Sequence, residues 1–249
     1  MRKDPSNIKL IKGNLPDSQC QALINEINCD GIIGGGVQLE FRYRYPEIFR
    51  FYKHACENGK VIPGKLDFYY ANDRKTIINF PTKNHSRQPA DINYIKKGLE
   101  QFVGAYKDRG IKSAAFPRLG TDNDELQWDE VKKVMYKYLK GLNIKIFIYE
   151  YKPGEDLLFN SVRDNIKKLD PKEIPERFLL DEASTALLIN GLKSKTIKSF
   201  EDLRAIREIK QSSIQAVYDF GRRIREKEIK IDAVLEKLSD DVAEQLELF

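Results

Sequence analysis

Between Asn7 and Tyr149 the chain changes its apolar period repeatedly. Short β-type apolar runs, over 7–11, 22–27, 66–70, 76–80, 113–116 and 144–149, are separated by stretches whose apolar residues recur every three or four positions. Residues 91–109 carry Ile92, Ile95, Leu99, Phe102, Val103 and Tyr106 at that spacing and read as an amphipathic helix. Residues 36–57 read as helix interrupted at Pro46, and 128–139 as helix. Strands that alternate with helices predict an α/β fold, a mixed or parallel sheet covered on both faces. Ligands of such sheets sit in the loops beyond the strand C-termini. The strand pattern stops at Tyr151-Lys152-Pro153-Gly154, and a charged stretch punctuated by Pro171 and Pro175 reads as a linker. From Asp181 onward nearly everything reads as helix: 183–192, 199–207, 213–225 and 231–248. The expected organisation is an α/β domain over 1–153, a linker over 154–175 and a small all-α domain over 176–249.

Composition narrows the class. Of 249 residues, 33% are charged and 41% hydrophobic, the balance of a folded globular protein rather than a disordered tail or a fibre. No apolar run approaches the roughly 20 residues that span a bilayer. Met1–Leu15 has no apolar stretch of the secretory-leader type, so a cytoplasmic setting without a membrane partner is expected. Three cysteines, Cys20, Cys29 and Cys56, with no CxxC, predict neither a disulfide framework nor a metal site. The net charge of +5 is unevenly spread. Residues 1–152 hold 26 basic and 18 acidic side chains, residues 191–230 hold 11 and 6, and residues 231–249 hold one Lys and six acids. The two basic parts suit a nucleotide or nucleic acid. Solvated helix faces carry such charges too.

Four segments at strand ends draw attention: Lys12–Leu15, Asn25–Val37, Ile78–His85 and Phe116–Trp128. Gly34-Gly35-Gly36 before a helix offers backbone N–H groups with no Cβ in the way, which suits a diphosphate at a helix N-terminus. A flexible turn would use the same glycines. Asn28, at the end of an apolar strand, fits a ribose hydroxyl or an Asx turn equally well.

Together these segments resemble the macrodomain family. Within it they are most similar to the branch of the DarG-type antitoxins and the terminal ADP-ribose protein glycohydrolases. The resemblance rests on Asn28-Cys29-Asp30-Gly31 with its glycine loop and aromatic-basic helix, Pro63-Gly64, Ile78-Asn79-Phe80-Pro81-Thr82-Lys83-Asn84-His85, and the stretch from Pro117 to Trp128. It covers about residues 6–152. It implies a three-layer α/β/α macrodomain with ADP-ribose in a cleft over the sheet and no cofactor. It further implies Lys83 as nucleophile or key polar group and Asp124 as its acid/base partner. Asn28 would lie beside the distal ribose. Gly34, Gly35, Gly36 and Val37, with Gly120, Thr121, Asp122 and Asn123, would form the two diphosphate loops. Asn14 takes the place of an Asp that reads the adenine amino group. Leu15, Thr82, Phe116, Arg118 and Tyr149 complete the expected ligand contacts, and His85 reads as a nucleic-acid contact or a residue supporting the site, with a turn cap as the plainer role. The chemistry is coherent: a lysine amine can attack the anomeric carbon, or its open-chain aldehyde, and water can then release the sugar.

Residues 176–230 resemble the C-terminal helix-hairpin-helix domain of the RNA polymerase α subunit. That implies a hairpin at Phe220-Gly221-Arg222-Arg223, with Arg222 and Arg223 on DNA phosphates. The leading expectation is therefore a hydrolase that removes ADP-ribose from ADP-ribosylated DNA bases. It would act as antitoxin to a cognate ADP-ribosyltransferase toxin. A non-catalytic ADP-ribose-binding module is the alternative, favoured by the three acids in the second loop, Asp122, Asp124 and Glu125. A protein-docking role for residues 176–249 is a third.

Overall fold

The structure, a computed structural model, describes residues 7–121, 126–150, 157–224 and 227. The chain divides into two compact units, Met1–Pro153 and Gly154–Phe249.

The first unit is built on a six-stranded sheet: β1 Ile8–Lys12, β2 Ala22–Ile27, β3 Asp67–Tyr70, β4 Thr76–Pro81, β5 Ser113–Pro117 and β6 Lys145–Glu150. Their spatial order is β1-β6-β5-β2-β4-β3. Every pairing is parallel except that of β3, which runs antiparallel to β4. The sheet is thus mixed, as the alternating pattern predicts. β2 and β4 lie inside it, and β4 is buried along its whole length, which explains their nearly unbroken apolar runs.

Helices α1 Gly36–Arg44 and α2 Pro46–Glu57 cover one face, and α3 Ile92–Ala105 and α4 Trp128–Leu139 the other. Alternation along the strands assigns the sides. Ala22 and Ile24 of β2, with Ile78 and Phe80 of β4, pack against Ile95, Leu99 and Phe102 of α3 and Val131, Met135 and Leu139 of α4. Leu23 and Ile77 instead face Val37, Phe41 and Ile48. Pro46 opens α2 at a position where its missing N–H is harmless, so the interruption read at that residue is a boundary between two helices. Asp91 caps α3, its side chain accepting from the Asn93 N–H at 2.7 Å.

Because five strands run parallel, their C-terminal ends share one edge. That edge gathers Gly13 and Asn14, the loop from Asn28 to Gly35, Thr82 to Ser86, and Arg118 to Thr121.

The second unit contains α5 Leu157–Ile166, α6 Ile174–Phe178, α7 Glu182–Ser194, α8 Phe200–Ala205 and a helix over 211–224. Phe200 stacks at 5.2 Å on Phe159 and at 4.9 Å on Tyr218, and Phe178 meets Phe220 at 5.3 Å. The stretch read as a linker over 154–175 is corrected here. It holds α5, whose Phe159, Val162 and Ile166 are buried. Charged residues between those positions masked a spacing of three and four that buries one side of a helix. The reading at Phe220-Gly221-Arg222-Arg223 is corrected too. These residues continue a helix instead of forming a hairpin, and Gly221 is there because a Cβ would collide with Val162 of α5. The acidic helix read at 231–248 lies outside the described residues.

Candidate active site

The Lys83 turn follows β4 directly. Thr82 is fully buried, and its backbone N–H donates to the Ile27 carbonyl at 3.1 Å while its carbonyl accepts from Asp91 at 2.9 Å. Its hydroxyl donates to Glu26 Oε1 at 2.6 Å. The same oxygen accepts the Gly120 N–H at 2.8 Å. Four residues further on, Ser86 donates from its backbone and its hydroxyl to Asp30 Oδ2, at 2.9 and 2.7 Å. His85 Nδ1 lies 3.1 Å from that same oxygen. Burial works against ionisation of Asp30, but the bonds from Ser86 and Ile32 and the neighbouring His85 outweigh it and hold the carboxyl below its ordinary range. Lys83, half-buried, stands between these two anchored points. His85, expected to meet nucleic acid, is engaged by Asp30.

Asn28 is consumed by its own loop. Its amide Nδ2 donates to the Ile32 carbonyl at 2.6 Å, and Oδ1 accepts from the Gly31 N–H at 3.0 Å and the Tyr52 hydroxyl at 2.7 Å. These bonds make the Asx-type turn, one of the two readings of Asn28, at the strand end where the ribose is expected. Burial pushes the Tyr52 phenol well up, so it stays a donor. The loop leads into Gly34 and Gly35. Gly36, at φ +56°, opens α1, and no side chain caps the helix. The first-turn N–H groups of α1 thus start from glycines, the arrangement an anion needs. Val37 itself is buried against Phe41 and Leu23.

The second loop begins at Arg118, which donates to Glu150 at 2.8 Å and lies over Trp128 at 4.8 Å. Gly120 has φ +69°, and a Cβ there would come within 2.9 Å of Ala90 and Leu126. Thr121 turns its hydroxyl back onto the Arg118 carbonyl at 2.8 Å. Asp122, Asn123 and Asp124 lie outside the described residues.

At the β1 end, Asn14 precedes a short 3-10 turn, Leu15–Asp17. Both ends of its side-chain amide are buried without a partner among the described residues. An amide so placed is ready for a group that accepts and donates at once, which a purine edge does. Tyr149 is half-buried beside this end, its phenol pushed up by burial.

Two expected ligand contacts stand at the loop edge with their side chains turned inward. Leu15 is fully buried with Leu23, Phe41 and Ala115, and Phe116 is fully buried at 5.1 Å from Phe102. Their side chains are core, so only their main chain faces the loop edge. Arg222 and Arg223 are exposed on the last described helix of the second unit. Glu26 and Asp30 were missed by the sequence reading. The signal is in the sequence: Glu26 is the one charge in strand β2, whose other residues apart from Asn25 are apolar, and such a side chain needs partners.

The Macro domain family matches residues 24–135. The DNA ADP-ribosyl glycohydrolase of Thermus aquaticus is 35% identical over 150 residues, covering 57% of this chain and 41% of that protein. The solved macrodomain of Thermus aquaticus DarG superposes with a TM-score of 0.54 at 34% identity, covering 57% of this chain and 97% of that one. Thermosipho africanus DarTG, solved in complex with ADP-ribose, superposes with a TM-score of 0.55 at 30% identity, covering 59% of this chain and 42% of that one. The chain spans about two fifths of the length of the Thermus glycohydrolase it matches. On its sheet order, its glycine loop and these matches, the chain belongs to the macrodomain family.

Proposed function

We propose that the first unit is an ADP-ribosyl hydrolase that removes ADP-ribose from modified DNA bases. The observation that carries this reading is the Lys83 turn, anchored at the parallel strand ends between the Gly34–Gly36 loop and the Gly120 loop. The similar proteins are named DNA ADP-ribosyl glycohydrolases, which supports the substrate class. The diphosphate would rest on the glycine loops. The Lys83 amine would attack C1 of the distal ribose as the bond from C1 to the base breaks. Asp124 would protonate the departing base, and water would then release ADP-ribose and regenerate the amine. Asn14 would meet the adenine edge.

An ADP-ribosyltransferase is the natural source of that substrate. The Thermosipho relative named as a fusion of DNA ADP-ribosyl transferase and DNA ADP-ribosyl glycohydrolase supports a partner of that class. Exposed Arg222 and Arg223 support a role for the second unit on DNA phosphates. A gel shift with both replaced by Ala tests it, since weakened binding is expected and unchanged binding excludes them.

Turnover of an ADP-ribosylated oligonucleotide, with calorimetric titration of ADP-ribose, tests the main reading. Wild type should release ADP-ribose, and Lys83→Ala should bind it without turnover. Binding by wild type without turnover selects the non-catalytic module. Unchanged turnover in Lys83→Ala removes the lysine from the mechanism.

A further inference from the structure

Two carboxylates of one chain segment hold both flanks of the Lys83 turn. Glu26, the next-to-last residue of strand β2, binds Thr82, the residue before Lys83, at 2.6 Å. Asp30, in the loop that follows β2, binds Ser86, three residues after Lys83, at 2.7 and 2.9 Å. We propose that Glu26 and Asp30 are positioning residues that fix Lys83 against the two glycine loops, a role that rests on the hydrolase reading above.

The geometry has three parts. First, Glu26 Oε1 accepts from Thr82 and from the Gly120 N–H at 2.8 Å, so one oxygen joins the ends of β2 and β4 to the loop after β5. Bonds to a carboxylate at these lengths are charge-assisted and directional. Second, Asp30 lies two residues after Asn28, whose side chain closes the same loop on Gly31 and Ile32. Movement of the glycine loop therefore moves Asp30, and with it Ser86 and His85. Third, only Lys83, Asn84 and His85 lie between the two anchored residues. A span that short, held at both ends, restricts the lysine backbone to a narrow range. Proton transfer and nucleophilic attack need reacting atoms placed to within about 0.5 Å, and a 1 Å misplacement costs about 10²-fold in rate.

Even a part-buried carboxylate at the end of a strand is costly unless its oxygens are used. Glu26 spends its charge on a threonine and a loop amide, the two groups that flank the cleft on either side. Neither carboxylate has to touch the substrate for this role.

The test is single-turnover and steady-state kinetics of the full chain on an ADP-ribosylated oligonucleotide, with amide exchange of the ligand-free protein. Glu26→Ala and Asp30→Ala should each lower kcat by about tenfold or more while KM changes by less than about threefold. Glu26→Gln and Asp30→Asn keep an acceptor oxygen and should recover most of the lost kcat. Exchange should accelerate at Gly120 in Glu26→Ala and at Ser86 in Asp30→Ala. Should the Ala variants unfold, Thr82→Val and Ser86→Ala remove the donor hydroxyls instead and should lower kcat with little change in KM, full kcat in both overturning the proposal. Full kcat in the folded Ala variants, or unchanged exchange at Gly120 and Ser86, overturns the proposal while wild-type turnover leaves the hydrolase reading intact. A wild type without turnover overturns both.

Discussion

Asp30 and Ser86 join two loops that leave different strands, with the Ser86 hydroxyl 2.7 Å and its N–H 2.9 Å from one oxygen of the Asp30 carboxylate. The pair stands 56 residues apart in sequence and ties the glycine-loop side of the cleft to the lysine side. Its chemistry gives a dependence on pH.

The Asp30 carboxyl is held below its ordinary value in the fold, so its bonds stabilise the protein above the unfolded value near 4 and are lost as pH falls through the lower, folded value. At pH 6 Asp30→Asn should be less stable than wild type by about 1 kcal/mol, the scale of a hydrogen bond to a charged group at a partly exposed site. Urea unfolding from pH 6 to pH 3 should show that difference shrinking. A constant difference across the range would mean that the charge of Asp30 does not contribute.

Part of this arrangement is legible in the sequence and part is not. β2 and α4 are readable to the residue, because a short, mostly apolar run marks the strand and apolar residues every three or four positions, Val131, Met135 and Leu139 among them, mark the helix. The Lys83 segment is readable as a motif. Its supports are not, because the bond from Gly120 to Glu26 spans 94 residues and exists only once β2 lies between β4 and β5. Arg118 likewise finds Glu150 only through the parallel pairing of β5 with β6, which sets Pro117 beside Tyr149. At Leu15 and Phe116 the place is legible and the side-chain direction is not. Their segments lie at the cleft edge as expected, but the direction of each side chain turns it into the core. Gly221 misleads because a glycine can mark a turn or a close helix contact, and only the neighbour, Val162, tells the two apart.

Cys29 and Cys56 sit beside the glycine loop and are part-exposed, yet neither should behave as a reactive thiol. Burial, with the other cysteine and Asp30 as further causes, pushes Cys29 up to about 12. Burial pushes Cys56 up to about 11, against a lowering bond from Tyr52. Thiolate is the reactive form, so both should label with iodoacetamide at pH 8 about tenfold or more slowly than a free cysteine. Labelling at the free-cysteine rate would show that the loop opens in solution. Mass spectrometry of the quenched reaction distinguishes the two sites.

Gly120 is the hinge of the second loop and should not tolerate a side chain. Its φ of +69° disfavours an L residue by about 1–2 kcal/mol. A Cβ would also press on Ala90, Leu126 and Ile95 at 2.9 to 3.0 Å. Gly120→Ala should lower stability by about 2–4 kcal/mol in denaturant unfolding, the strain and the overpacking acting together. Stability within about 0.5 kcal/mol of wild type would mean that the loop relaxes freely, and the seat that Glu26 provides for the Gly120 amide would then be soft.

Gly221 offers the corresponding test in the second unit. It lies mid-helix, where Ala would ordinarily gain about 1 kcal/mol in helix propensity. Here a Cβ would overlap Val162 and come within 3.3 Å of Leu158, both on α5. Overpacking of that kind costs about 1–3 kcal/mol, so the penalty should exceed the propensity gain and Gly221→Ala should be net destabilising. Val162→Ala clears the overlap, and Gly221→Ala added to it should do much less harm than in the wild-type background. A double-mutant cycle in urea measures this coupling. Equal penalties in both backgrounds would mean that the last described helix does not rest on α5 through this glycine.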